Sequence, residues 1–148
     1  MEPSISGQIM ELHYTKHHQT YVNGYNAAIE QLQEAQAKNN IAAQISLKPA
    51  INFNGGGHLN HSLFWETLAP KSAGGGEPPS GALAKAIDET YGSLANFQGQ
   101  ANAALASIQG SGWAWLVKDK TTGGIGIRTY AVCRRSIVQI INYFRMDC

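Results

Sequence analysis

The sequence lacks the features that mark membrane proteins, nucleic-acid-binding proteins and disulfide scaffolds. Its 148 residues contain no run of about 18 apolar residues, which a membrane-spanning helix would need. Eleven lysines and arginines balance ten aspartates and glutamates, so no strong field draws the chain to nucleic acid or to an anionic membrane. The only two cysteines, Cys133 and Cys148, are expected to be reduced in an intracellular chain, with a disulfide between them as the alternative. We therefore expect no membrane partner and no nucleic-acid partner.

The first residues, MEPSISGQIMELH, show no targeting signal. They lack the arginine-rich, acid-poor character of a transit peptide and the apolar core of a secretory signal. The length suits one ordinary domain with a single core, or two small layers that share one. We therefore expect a small protein whose own sequence does not indicate its compartment.

Histidine is absent after position 61, and the five histidines form two clusters near the start of the chain. These clusters are His13-x-x-x-His17-His18 and His58-x-x-His61. Because a helix places residues i and i+4 on one face, His13, His17 and Tyr21 form a polar stripe within an otherwise apolar pattern. Such a stripe needs a partner that satisfies its polar groups.

The second cluster supplies that partner. After a glycine-rich turn over residues 54–57, we expect a helix whose His61, Phe64 and Trp65 share a face that could pack on the first helix. Two helices that each aim one imidazole at the same gap make half of a metal site. We expect His18 on the solvent side of its helix and His58 near a helix start.

The remaining pattern of residues 1–69 predicts a helical hairpin. A long helix is expected from Ser6, as N-cap, to Ala37, with an interruption at Gly24, because glycine costs about 1 kcal/mol relative to alanine inside a helix. A shorter helix over residues 42–47 is expected to stop before Pro49, since proline disfavours helix in the residue that precedes it.

The second half of the chain predicts two helices and a β-hairpin after a linker. Proline and glycine in residues 70–81 cannot continue a regular element. Two amphipathic helices follow, and aromatic and β-branched residues then indicate two strands. The expected ranges are 82–91 and 93–108 for the helices, and 113–117 and 125–132 for the strands. The apolar run over residues 137–144 fits either a third strand or a short buried helix.

We therefore predict an α+β fold: an N-terminal antiparallel helical hairpin domain (1–69), a linker (70–81) and a C-terminal domain of helices and antiparallel sheet (82–148).

Four segments carry a resemblance to a known family, and they read LHYTKHHQTYVN, NGGGHLNHSLFW, GGGEPPSGALAKAI and IQGSGWAWLV. In this order and spacing they resemble the iron/manganese superoxide dismutases, most closely the fungal manganese type, from about Glu2 to Ala131. Gly57 stands where iron-type members have a glutamine, which favours manganese over iron as the cofactor. The activity that the resemblance implies is conversion of superoxide to dioxygen and hydrogen peroxide at a redox-cycling metal.

The resemblance also implies roles for individual residues. His13 and His61 correspond to the first two metal ligands, His17 and Tyr21 to an outer pair at the substrate channel, and Trp113 to a wall of the site. Family membership further implies a homo-oligomer in the mitochondrial matrix, although the absence of a transit peptide leaves a cytoplasmic chain open.

The resemblance ends after Ala131, which implies that the C-terminal domain (82–148) is incomplete and that its tail from residue 132 is unfamiliar. The family continues with an Asn-Gln-Asp-Pro segment and an Asp-x-Trp-Glu-His motif that holds the third and fourth ligands, whereas this chain reads VCRRSIVQIINYFRMDC. A shifted reading frame or a retained intron would produce such a tail. The carboxylates Glu11, Glu66, Asp119 and Asp147 are not expected to replace the missing aspartate. We expect little bound metal and an activity at least about 100-fold below that of a complete relative.

Two alternatives belong to other classes. The first is a catalytically impaired dismutase that acts only as a helical oligomerisation module. The second is an unrelated four-helix metalloprotein, which would need Glu-x-x-His spacings that the sequence does not contain.

Overall fold

The computed structural model describes residues 1–131, and its first half is one long helical hairpin. Helix α1 (Gly7–Leu12) leads through a π-helical turn (His13–His18) into α2 (Gln19–Ala37), and α3 (Ile41–Thr67) returns alongside. Gln44 donates to the carbonyl of Ala35 near the connecting turn, while His18 contacts His58 far from it. The two helices are therefore antiparallel, as predicted.

Local caps define the ends of these helices. The hydroxyl of Ser6 accepts a hydrogen bond from the backbone N–H of Ile9, which confirms Ser6 as the N-cap of α1. Asn40 caps α3 in the same way by accepting from Ala43. Asn39 takes a left-handed conformation with φ of 50°, which asparagine tolerates better than most residues. The chain thus reverses within three residues.

Helix α3 corrects two predictions. It runs without a break from Ile41 to Thr67, through Pro49 and through the glycine-rich segment, so the expected end before Pro49 and the expected turn at 54–57 are both wrong. Local propensity is overridden here because α3 packs along the whole of α2, and tertiary contact supplies most of the stability of a helix in a protein.

The glycines of the hairpin allow close approach of the two helices, and they do not break them. A Cβ added at Gly24 would meet the Asn54 amide oxygen at 2.5 Å, and one added at Gly57 would overlap the ring of Tyr21. The predicted interruption at Gly24 is therefore wrong, since α2 is regular there. The irregular segment of this helix is the π-helical turn at residues 13–18.

The second half of the described chain packs two helices on a two-stranded sheet. After a short 3₁₀ turn (Lys71–Ala73) come α4 (Gly81–Tyr91) and α5 (Leu94–Ala106) and then strands β1 (Gly112–Lys118) and β2 (Ile125–Ala131). The strands are antiparallel, with Trp113 opposite Tyr130. The side chain of Asp119 accepts from the N–H groups of Thr121 and Thr122 and shapes the connecting loop.

The apolar core of this half lies between α4, α5 and the sheet. Its buried members are Leu83, Ile87 and Phe97, and Tyr91 and Leu116 pack against them. This arrangement confirms the α+β fold class predicted from the sequence. No helix among residues 1–131 has the length and hydropathy to cross a membrane. The apolar run at 137–144 and both cysteines lie outside the described residues.

Candidate metal centre

The site begins with the π-helical turn that joins α1 to α2. His13 is the first residue of this turn and His17 the fifth, so both imidazoles face the same side of the helix pair. Single π-helical turns within α-helices occur frequently at functional sites. The turn therefore brings two of the three histidines of the candidate site together within one short segment.

His61 supplies the third imidazole from α3, and its tautomer is fixed by its helix. The side chain is 3% exposed, and its Nδ1 lies 2.8 Å from the carbonyl oxygen of Gly57, one turn earlier. A carbonyl only accepts, so Nδ1 must carry the proton and donate it. The lone pair of His61 is then on Nε2, on the far side of the ring from Gly57.

That lone pair faces the other helix. The Nε2 atoms of His61 and His13 are 3.1 Å apart, and the two rings meet edge to face. Without a metal, the Nε2–H of His13 donates to Nε2 of His61, because the latter has no proton to give. A cation bound at this point would take the place of the shared proton.

His17 completes a group of three histidines. One nitrogen from each of His13, His17 and His61 lies within 4.8 Å of the others; His61 is buried, His13 half-buried and His17 exposed. Among residues 1–131 no aspartate, glutamate or cysteine belongs to this group, so Glu11, Glu66 and Asp119 lie outside it. Asp147 lies beyond the described residues, and the expectation that none of the four replaces the aspartate stays a prediction.

The surroundings keep the buried imidazoles neutral. The pKa of His61 is lowered from 6.5 to about 4, mainly by burial; the hydrogen bond to Gly57 opposes this shift, and the nearby His13, His17 and His18 add to it. Burial also lowers the pKa of His13, with a smaller contribution from the charge of His17. Neutral imidazole is the form that binds metals, so these two residues are ready as ligands near neutral pH.

A second hydrogen-bonded chain supports the first group. The indole Nε1–H of Trp65 donates to Nδ1 of His18 over 2.9 Å, and Nε2 of His18 lies 2.8 Å from Nδ1 of His58. The indole N–H can only donate, so Nδ1 of His18 accepts and the proton of His18 is on Nε2. This Nε2–H then donates a hydrogen bond to Nδ1 of His58. The ring of His18 stacks on His61 at an interplanar angle of 16°. This contact holds the His61 ring from one side.

The placement of His18 and His58 corrects the sequence analysis. His18 is 8% exposed and faces the interior, and His58 lies within α3, far from its start. The expectation of a solvent-facing His18 assumed 3.6 residues per turn, whereas His18 is the last residue of a π-helical turn, whose i→i+5 hydrogen bonding changes which residues share a face. The signal that could have pointed to this chain is the spacing His58-x-x-x-Ser62 with Trp65 one turn later on the same face.

The other two residues singled out from the sequence lie against His61. The Tyr21 ring is centred 5.2 Å from the His61 ring and 5.4 Å from the His17 ring. Trp113, on β1, meets His61 edge to face at 4.9 Å and so connects the sheet to the hairpin. The structure therefore brings all five predicted site residues together, whereas their individual roles stay predictions.

Comparisons with known proteins agree on one family. The α-hairpin domain of iron/manganese superoxide dismutases matches residues 1–69, and the C-terminal domain of the same enzymes matches residues 79–143, beyond the Ala131 at which the motif resemblance ends.

Three curated relatives illustrate the similarity. The mitochondrial manganese superoxide dismutase of Saccharomyces cerevisiae is 58% identical over 131 residues, which are 84% of this chain and 56% of the relative. The mitochondrial enzyme of Schizosaccharomyces pombe is 57% identical over 132 residues, covering 88% and 59%. A mitochondrial manganese superoxide dismutase of Zea mays, numbered 3.4, is 53% identical over 131 residues, covering 88% and 56%. The chain thus spans somewhat more than half the length of these relatives.

Proposed function

The chain belongs to the iron/manganese superoxide dismutase family, and from this membership we propose that it acts in the dismutation of superoxide with manganese as its metal. In that reaction two superoxide ions and two protons become one dioxygen and one hydrogen peroxide. The observation that carries the proposal is the approach of two neutral imidazoles from facing helices, with their Nε2 atoms 3.1 Å apart.

The donor set fits manganese in part. His13 and His61 fit the imidazole part of such a site, because both are turned to one point and one is fixed in the required tautomer. The carboxylate that manganese also favours is not in the cluster formed by residues 1–131. The described residues therefore provide one part of a manganese site, and manganese, when bound, would supply the electron transfer.

We propose that two other residues of the site supply protons and that a third excludes water. Peroxide dianion is too basic to leave unprotonated, so a proton source must stand near the metal. Tyr21 and His17 are in ring contact with each other and with His61, which suits them to that task. Trp113 covers the edge of His61 from the side of the sheet and would limit access of bulk water.

Further parts of the proposal follow from the relatives and from the sequence. The relatives named above are mitochondrial, and we propose the mitochondrial matrix for this chain as well. We also keep the division into a hairpin domain (1–69), a linker (70–81) and a C-terminal domain (82–148). Fractionation of cells that express the chain tests the first point, and limited proteolysis within 70–81 tests the second.

A second candidate function is that of a helical oligomerisation module, and exposed apolar side chains on α3 favour it. Ile41, Ile45 and Phe53 are 61%, 67% and 44% exposed. Such residues are typical of surfaces that meet another subunit. Analytical ultracentrifugation distinguishes the cases: replacement of Ile41 and Ile45 by serine would convert an oligomer to monomer, whereas a monomeric wild type would contradict this candidate.

The direct test of the proposed function joins metal analysis and a superoxide assay on one sample of manganese-loaded protein. We expect manganese-dependent dismutation that is lost in His13→Ala and in His61→Ala, and retained in Lys16→Gln, which alters an exposed side chain of the same π-helical turn. Absence of manganese-dependent activity in the wild type, or full activity in His61→Ala, would contradict the proposal.

A further inference from the structure

The cluster of His13, His17 and His61 offers three imidazole nitrogens and, among residues 1–131, no oxygen ligand from an acidic side chain. In proteins, imidazole suits zinc, copper, iron and nickel, whereas carboxylate, carbonyl and water suit manganese. The affinity of a given site for divalent metals also rises from manganese toward copper and remains high for zinc. The donor set of this cluster and the metal implied by the family therefore disagree.

We propose that this chain uses His13, His17 and His61 as a three-histidine site that binds zinc in preference to manganese, with His17 as the third ligand and water in the fourth position. The proposal shares the His13–His61 pair with the proposed function but does not require dismutase activity. It assigns His17 a role as a ligand that differs from the outer position implied by the resemblance.

The geometry of the pair is close to that of a tetrahedral zinc site. Ligand nitrogens about 2.0–2.1 Å from a tetrahedral zinc ion are separated from each other by about 3.3–3.4 Å. The Nε2 atoms of His13 and His61 stand 3.1 Å apart, so zinc would enter with only a small displacement of either ring. The bond from His61 to the Gly57 carbonyl orients this ligand in advance, as partners of metal-binding histidines commonly do.

His17 can reach the same ion. It lies four residues after His13 on one π-helical turn, and its ring is centred 5.4 Å from that of His13 and 5.2 Å from that of His61. Its nitrogen needs to move by at most about 1.5 Å to reach the tetrahedral separation from the others, since all three lie within 4.8 Å. The side chain is exposed, and its rotation has to keep clear of the Tyr21 ring, which is centred 5.4 Å away.

The charge balance favours the same ion. Three neutral imidazoles leave the full double charge of the metal uncompensated by the cluster, which a divalent ion tolerates better than the trivalent state that manganese must reach during dismutation. Zinc has no accessible second oxidation state. Zinc bound at this cluster would therefore occupy the His13–His61 pair and block manganese-dependent turnover there.

Calorimetric titration of the metal-free full chain tests the proposal, with zinc chloride and manganese chloride in separate experiments. Cys133 and Cys148 are replaced by serine in every sample, because thiolates bind zinc strongly and would obscure the result. The variants are His17→Gln and, as a matched control on the same turn, Lys16→Gln. Circular dichroism establishes that each sample is folded, and cobalt absorbance reports whether the site is tetrahedral.

We expect one zinc per chain, bound at least about 10-fold more tightly than manganese. His17→Gln should weaken zinc by about 10-fold or more, since even residues behind a ligand contribute that much, and should change manganese binding less. Lys16→Gln should leave zinc affinity unchanged. Equal or tighter binding of manganese, no zinc binding, or an unaltered zinc affinity in His17→Gln would each overturn the inference.

These outcomes separate the inference from the proposed function. A chain that binds zinc through His17 but shows no activity after manganese loading would support the inference and contradict the proposed function. A chain that binds manganese more tightly than zinc and dismutates superoxide would do the reverse.

Discussion

The two halves of the described chain bury different types of side chain. In the hairpin every buried apolar residue is an alanine, and the buried polar side chains are His18, Asn60, His61 and Thr67. In the second half the buried side chains are large and apolar, namely Leu83, Ile87, Phe97, Trp115 and Val117. Hydrogen bonds and ring contacts therefore dominate the interior of the hairpin, whereas the packing of large apolar side chains dominates the interior of the second half.

This difference indicates that the two halves contribute to the site in different ways. Buried polar groups must be satisfied, because leaving one unpaired costs about 1–3 kcal/mol, so the interior of the hairpin is restricted to a few arrangements of its rings. That restriction orients His61 toward His13. The apolar core of the second half, with Leu83, Ile87 and Phe97 as buried members, packs against the sheet, and β1 of that sheet carries Trp113 to the site.

Truncation of a side chain in the apolar core of the second half should have the largest effect on stability. Ile87 is 1% exposed, so Ile87→Ala removes buried methylenes and leaves a cavity, and we expect a loss of about 3 kcal/mol in the free energy of unfolding. Leu105→Ala is the control, because Leu105 is 41% exposed and should cost under about 1 kcal/mol. Urea denaturation measures both. Equal losses would mean that the second half does not depend on packed volume.

A lower pH should destabilise the protein through the hairpin, where His61 lies. In the metal-free protein the pKa of His61 is about 4, below its ordinary value of 6.5, so the unfolded chain binds more protons between these values. Stability is therefore fully present above pH 6.5 and is lost as the pH falls toward 4. Between pH 7 and pH 5 we expect a loss of about 2 kcal/mol from this residue.

Urea denaturation of metal-free protein at the two pH values measures the loss, with His61→Gln as the control that removes the titrating group. The burial-lowered pKa values of His13 and His18 act in the same direction. A wild type that is equally stable at pH 7 and pH 5 would contradict a neutral, buried His61.

The sequence predicted the presence of the helices better than their details. Periodic apolar positions made α2, α4 and α5 visible, and Ser6 marked the start of α1. The continuity of α3 through Pro49 could not be read locally, because contact with α2 decides it.

For the site, the facing stripes of the two arms of the hairpin led to His13, in the π-helical turn, and to His61, on α3, since opposed polar groups within apolar faces must meet. The face of His18 was assigned wrongly, because a π-helical turn has no reliable local signal and changes which residues share a side. Hydrogen bonds such as that from His61 to Gly57 depend on ring orientation, which spacing does not give.

Replacement of one glycine in each half by alanine should give the smallest changes in stability and compares the two halves directly. Gly57→Ala should destabilise the protein by about 1–2 kcal/mol, because the new Cβ overlaps the ring of Tyr21. Gly99→Ala, in the open surroundings of α5, should stabilise it by about 0.5–1 kcal/mol through helix propensity. Thermal unfolding measures both shifts. A stabilising Gly57→Ala would mean that the helices of the hairpin are not in close contact.

The central claim is that the interior of the hairpin places His13 and His61 around one metal ion. Electron spin-echo spectroscopy of the full chain with excess manganese tests it most directly, because nitrogen bonded to the ion gives a characteristic coupling. We predict imidazole couplings in the wild type and in Lys16→Gln that weaken in His13→Gln and in His61→Gln. Manganese that shows only water ligands, or imidazole couplings that persist unchanged in His61→Gln, would contradict the account.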